Sequence, residues 1–187
     1  DADILCVRVA SFNPAHVAQF KAMGKEMWMY VSSPAHPYPS LVIDYPAIAH
    51  RIIPWMAWKV GAEGLLSWCV NFWEGDPWKN PASFQPDQNG NGFLFYPGTD
   101  GPVPSIRLEA LRDGIEDYEY LWLLRDRLEQ AKARGGADPA LVAQAEHLLN
   151  VDPKLVESTR AYAKDPELLM ASREAIAKMI EAFQHDD

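Results

Sequence analysis

Cysteine is almost missing from this 187-residue sequence. Cys6 and Cys69 are the only two, and each sits inside an apolar, strand-like run. No disulfide-framework pattern is present, though one bridge remains open, and two buried free thiols are expected, since a lone cysteine packs as a small hydrophobe. No Cys and His spacing matches a metal site, so no metal is expected. Positive charge is also scarce: 17 Lys and Arg stand against 26 Asp and Glu, a net charge of −9. That balance, with no cationic cluster, argues against a nucleic-acid surface. Long hydrophobic runs are absent, so no membrane span is expected. The opening residues, Asp1-Ala2-Asp3-Ile4, carry neither an initiator Met nor a signal-peptide pattern, and read as the start of a processed or cut chain.

What is present is an apolar content of 48%, enough for a real core. The first 73 residues alternate between two periodicities. An apolar β-branched run at 4–9 is followed by Asn13-Pro14, an N-cap with a first-turn proline, and a helix to Met23 that Gly24 stops. A second aromatic run, EMWMYV at 26–31, leads into a proline-rich loop over 32–39. Asp44-Tyr45-Pro46 is read as the cap of a helix over 47–60, ended by Gly61. A third run, GLLSWCVNFW, fills 64–73. Strands alternating with helices imply a parallel sheet with crossover helices. Near-continuous apolar strands imply burial on both faces.

From 74 to 104 the rhythm breaks into a loop dense in Pro, Gly, Asn and Asp. Irregular segments of that length inside a domain tend to be functional. One further short strand is expected at 92–97, after the Asn89-Gly90-Asn91-Gly92 turn signal. Beyond Ser105 the chain reads as helical. Leu108, Leu111, Ile115, Tyr118 and Trp122 form an apolar stripe, and Gly135-Gly136 ends that helix. Asp-Pro pairs at 138, 152 and 165 each signal a helix start, which makes four helices after Ser105.

Two blocks resemble a known family. One is Trp28-Met29-Tyr30 with Leu65-Leu66-Ser67-Trp68, Asn71 and Trp73; the other is GFLFYP at 92–97 followed by SIRLEALRDGIEDYEYL at 105–121. Their order and spacing resemble the domain of unknown function 4091, the barrel domain of proteins similar to glycoside hydrolase family 123. The resemblance covers about residues 1–130. It implies an α/β fold, the C-terminal portion of a (β/α)8 (TIM-like) barrel, followed by a packed helical region. Residues 1–104 would hold the last strand–helix units, and 105–187 helices packed on the barrel. It further implies a β-N-acetylgalactosaminidase-like glycosidase acting on a terminal N-acetylhexosamine. In the implied substrate-assisted, retaining chemistry the sugar's acetamido group attacks and an Asp-Glu pair does the enzyme's share. No Asp-Glu dipeptide occurs in these 187 residues, and Glu116-Asp117 is the reverse order on a helix. No catalytic residue is therefore assigned within the chain, and the pair is expected upstream. A non-catalytic carbohydrate-binding or structural fragment, needing association with another chain, is the competing reading.

In such barrels the strand C-termini and the loops after them build the site. That singles out Tyr30, Asn71, Trp73, Glu74, Asp76 and Trp78 as substrate-binding candidates. Tyr30, Trp73 and Trp78 offer stacking faces, and Asn71, Glu74 and Asp76 offer hydrogen bonds to hydroxyls. The alternative is that Trp73 is core and the acids are solvated. If the third strand ran to 73, alternation would put Ser67, Cys69, Asn71 and Trp73 on one inward face and Trp68 toward the helices. His36 is an exposed loop histidine on this reading, His16 and His50 are structural, and Trp28, Trp55 and Trp58 are core. Arg107, Glu109, Arg112, Asp113, Glu116 and Asp117 form a polar face, read as a salt-bridged surface that docks the helix on the barrel; their spacing does not separate such a clamp from a solvated face. The partner is a carbohydrate, with no cofactor; association with a missing barrel half or with other copies is left open.

Overall fold

The structure is a computed structural model, and it describes residues 2–32, 36–82, 84–135 and 137–185. Residues 33–35 of the proline-rich loop, Gly136 of the expected helix stop, and Asp1 lie outside the described residues.

Three parallel strands make the sheet: β1 (Ile4–Arg8), β2 (Glu26–Val31) and β3 (Gly64–Ser67), in the order β1-β2-β3. The helices between them are α1 (Pro14–Ala22) and α2 (Ala47–Val60). Asn13 caps α1 through the Ala15 amide, as expected. Gly61 ends α2 in the left-handed conformation. The start of α2 differs from the expectation. Its cap position is Pro46, with no side-chain cap, and Asp44 instead accepts a hydrogen bond from Asn89 at 2.8 Å.

Only one sheet face is covered. Met27, Met29 and Val31 of β2 are buried with Ile48, Ile52, Trp55 and Met56 of α2 in the main core. The alternate residues Trp28 and Tyr30 are half-buried and Glu26 is exposed on the other face. In-register neighbours share that face, which adds exposed Ile4 and Leu66 to it. Burial on both faces, read from the apolar runs, is therefore not observed among the described residues.

The third strand is shorter than its apolar run. Ser67 Oγ donates to the Cys69 carbonyl, turning the chain out of the sheet. Val70 then accepts from the Leu94 and Phe95 amides, Phe72 N donates to Gly92, and Asn71 bridges Phe93. The stretch after β3 thus pairs with the returning loop, and the expected alternation to Trp73 does not hold. Trp68 does not face the helices. It is 40% exposed, bonded to Asn91 and clustered with Phe72 and Phe84. The expected strand at 92–97 is β4 (Phe95–Pro97), antiparallel to β5 (Pro102–Pro104) and outside the parallel sheet.

Helix α3 (Ile106–Arg134), capped by Ser105, packs along α2, and α4 (Pro139–Leu149) and α5 (Pro166–His185) pack on it. A side chain at Gly114 would sit 2.3 Å from the Arg51 carbonyl, so only glycine lets α2 and α3 approach this closely. The buried stripe of α3 is Arg107, Gly114, Asp117, Leu121, Leu124, Leu128 and Ala131. The expected apolar stripe is rotated away from it, leaving Ile115 47% and Trp122 45% exposed. The polar face divides accordingly. Arg112 stays at the surface among Glu109, Asp113 and Glu116, whereas Asp117 is fully buried. Its Oδ2 accepts from Arg51 Nε (2.8 Å) and Trp55 Nε1 (2.9 Å), its Oδ1 accepts from Arg51 Nη2 (2.9 Å), and Oδ1 forms an ion pair with Arg173 Nε at 2.8 Å. One carboxylate therefore joins α2, α3 and α5.

Asp138 and Asp165 start helices as read. Asp152 does not. It caps a single turn, after which Leu155 and Val156 are buried and Val156 bridges back to Tyr162. Three helices, not four, follow Ser105 among the described residues. Both cysteines are free. Among the described residues no helix is long and apolar enough to cross a membrane, and no cluster of His, Cys, Asp or Glu could hold a metal.

Candidate functional site

Parallel strands place their C-termini, the following loops and the next helices' N-termini at one end of the sheet. Here that end carries the 32–46 and 68–104 loops and the first turns of α2 and α3. Between them lies a cleft of about 360 Å³, lined by Ile43, Tyr45, Ala47, His50, Trp78, Tyr96, Pro104, Ser105, Ile106 and Arg107. Its volume is within the range of small-ligand sites.

The predicted residues divide around it. Trp78 forms part of the wall: it is 58% exposed, donates to the Pro97 carbonyl at 2.7 Å and leans on Tyr96 at 4.4 Å between ring centroids. Trp73 is half-buried behind that wall. It meets Phe93 edge-on at 6.0 Å, and Phe93 meets Tyr96 at 5.1 Å, so a ladder of rings runs from Trp73 to Trp78. Asn71 is exposed and tied by its backbone to Phe93. Asp76 shapes the turn: its carboxylate accepts from the Trp78 amide and pairs with Lys79. Glu74 is exposed on the loop. Tyr30 stands apart from the cleft, on the open face of the sheet.

Four residues of the cleft were not among the site candidates read from the sequence: Tyr45, His50, Tyr96 and Arg107. His50 and Arg107 are each 3% exposed, so His50 is buried as its structural reading implies, and Arg107 lies inside rather than on a solvated face. His50 Nε2 lies 3.1 Å from the Val42 carbonyl, which assigns the proton to that nitrogen. Its Nδ1 has no partner among the described residues. Burial holds the imidazole below its ordinary pKa, the Val42 bond opposes this, and Arg107 adds to the lowering. Arg107 Nη1 donates to Leu41 (2.6 Å) and Gly90 (2.9 Å), fastening both loops to the first turn of α3. Its guanidinium lies over Phe93 at 5.3 Å. A side chain at Gly90 would fall 2.7 Å from Nη1, and its φ of +76° favours glycine as well. Nη2 makes no hydrogen bond among the described residues. Burial lowers the Arg107 pKa. The Tyr96 hydroxyl stands beside the guanidinium and offsets part of that, without hydrogen-bond geometry to Nη2. The cleft thus presents aromatic faces, with an unpartnered donor and an unpartnered acceptor buried beneath its surface.

An α/β domain with an aromatic cleft at the C-terminal end of its parallel strands is suited to binding a small polar ligand. The sequence matches the catalytic domain of glycoside hydrolase 123 over residues 2–124, and the chain belongs to that family. This is the family to which the domain expected from the motifs was likened. The structure is similar to that of a family 123 glycoside hydrolase from Clostridium perfringens, solved to describe glycolipid glycan hydrolysis. The TM-score is 0.68 at 18% identity, over 98% of this chain and 32% of that one. The chain therefore spans about a third of that protein's length. No curated protein matches the sequence.

Proposed function

We propose that this chain is the closing portion of a glycoside-hydrolase barrel that acts on a terminal N-acetylhexosamine by substrate-assisted retention. In this reading β1, β2 and β3 with their helices are the last units of a (β/α)8 barrel within residues 1–104, and the 105–187 helices pack outside them. The observation that carries it is the aromatic cleft at the strand C-termini of a family 123 catalytic domain. Trp78 and Tyr96 offer ring faces to a pyranose, and Arg107 and His50 offer a donor and an acceptor to its substituents. The acid pair of the reaction comes from outside these 187 residues, which contain no Asp-Glu dipeptide. The test is turnover of aryl N-acetyl-β-galactosaminide and glucosaminide by the full-length protein that carries this chain. No turnover of either by a folded sample refutes the activity.

The missing dipeptide favours one second reading, carbohydrate binding without hydrolysis. Sugar binding by the chain, with no Asp-Glu at a strand end elsewhere in its protein, would select it. Under either reading the unpaired edges of β1 and β3 call for covering by the rest of the barrel or by another copy. Light scattering on this chain alone checks that, and a stable monomer counts against it.

A further inference from the structure

We propose that the cleft between the first turns of α2 and α3 binds the acid group of an acidic sugar, a carboxylate or sulfate, with Arg107 as its counter-charge.

Four observations converge on this. First, Arg107 is a buried cation with no carboxylate partner among the described residues; it is bonded to two carbonyls, lies over a ring face and has the Tyr96 hydroxyl beside it. A buried charge is ordinarily paired, because desolvation costs several kcal/mol per ion. The buried carboxylate of Asp117, paired with Arg51 and Arg173, follows that rule; Arg107 does not. Second, Nη2 of Arg107 and Nδ1 of His50 are both unpartnered among the described residues, and both side chains line this one cleft. Third, two long helices open onto it. The N-terminus of α2 has no side-chain cap and no acid in its first turn, so its positive end is uncompensated. Fourth, none of the ten lining residues is Asp or Glu, in a chain with 26 acids. Asp44 is turned to Asn89, and Glu109 in the first turn of α3 pairs with Arg112.

Arg107, the α2 N-terminus and the lack of lining acids favour an oxyanion. Arg107 acts through its charge, since Nη2 is buried beneath the cleft surface, and the α2 first-turn amides face negative charge. His50 Nδ1, an acceptor while the ring is neutral, takes a hydroxyl or becomes a donor when the ring is protonated. Trp78 and Tyr96 give the site its selectivity for an anion carried on a ring rather than a free ion. The inference deepens the proposed function, resting on it for the sugar ring and not for the acid group.

The test is calorimetric titration of the protein with N-acetylneuraminic acid, N-acetylgalactosamine 6-sulfate, neutral N-acetylgalactosamine and sodium sulfate. At least one acidic sugar should bind ten times more tightly than the neutral sugar and than sulfate; which one does separates the carboxylate from the sulfate source. Ala47→Asp places a negative charge in the exposed first turn of α2, where the helix itself favours an acid, and should abolish the preference while leaving the circular dichroism spectrum unchanged. Trp78→Ala, at an exposed position, should weaken acidic and neutral sugars alike. A preference under tenfold, sulfate binding as tightly as any sugar, or an Ala47→Asp protein that keeps the preference overturns the proposal. Absence of the preference in the unsubstituted protein, with neutral-substrate hydrolysis intact, would refute this inference alone. A preserved preference without hydrolysis would refute the activity alone.

Discussion

Replacing Asp117 by Asn should be among the most damaging single changes in this chain. Asparagine keeps the shape of the side chain but removes its charge and turns one oxygen into a donor. Three hydrogen bonds and an ion pair reach the carboxylate: Arg51 Nε and Trp55 Nε1 donate to Oδ2, Arg51 Nη2 donates to Oδ1, and Arg173 Nε pairs with Oδ1. Whichever way the amide turns, its NH2 faces two N–H donors, and both guanidinium groups lose their only buried anion. Breaking a buried pair from one side costs about 3–5 kcal/mol, because the surviving charge is left uncompensated. At about 2–4 °C per kcal/mol for a domain of this size, the melting temperature should fall by about 6–20 °C. The comparison that isolates burial is Arg112→Ala, on the same helix. Arg112 also touches three acids, but it is 62% exposed, so its loss should cost under about 1 kcal/mol. Urea titration of both variants, with thermal melts by circular dichroism, gives the two numbers. If Asp117→Asn costs less than about 1 kcal/mol, or no more than Arg112→Ala, the clamp is not the joint described.

Three further outcomes follow from the packing. Gly114→Ala would gain about 1 kcal/mol on helix propensity alone, yet the clash with the Arg51 carbonyl should reverse the sign, with a net loss of about 1–2 kcal/mol in urea titration. Stability should fall with pH through His50: burial depresses its folded pKa below 6.5, so the unfolded chain binds the proton first and the loss begins as pH drops through 6.5. Urea titrations at descending pH should show a steeper fall for wild type than for His50→Gln, and parallel curves would refute this. Gly90→Ala, at a positive φ and against Nη1, should displace Arg107 and raise protease cleavage in the 68–104 loop, with cleavage equal to wild type as the refuting result.

The parts of the fold governed by local chemistry were readable in advance. Asn13-Pro14, Asp138-Pro139 and Asp165-Pro166 start helices because cap and proline act within one turn. Asp152-Pro153 has the same chemistry and starts none, because Leu155 and Val156 are taken into the core and paired against Tyr162. The run over 64–73 is apolar throughout, yet it leaves the sheet at Ser67, since its later partners are in the 92–95 return. No window of sequence contains both halves of that pairing. The site was legible in the same uneven way. Trp78 was found from its place on a long loop. Arg107 and His50 were read as a docking face and a structural histidine, because no window of sequence shows that the first turns of α2 and α3 meet at one cleft. The apolar stripe of α3 misled for the converse reason: Gly114 and Asp117, not its hydrophobes, mark the side that meets α2.

The Asp117 joint also has a place in time. Its ligands reach the folding chain in a fixed order: Arg51 and Trp55 first, then the carboxylate, and Arg173 last. At a synthesis rate of about 5–20 residues per second, the stretch from Asp117 to Arg173 takes about 3–11 s to make. For that interval α2 and α3 can close on each other with one guanidinium in place and the other side of the carboxylate open to water. The arrival of α5 shuts that side. The last long helix therefore acts as a latch on a pair already formed, and slow or stalled translation between them prolongs the unlatched form.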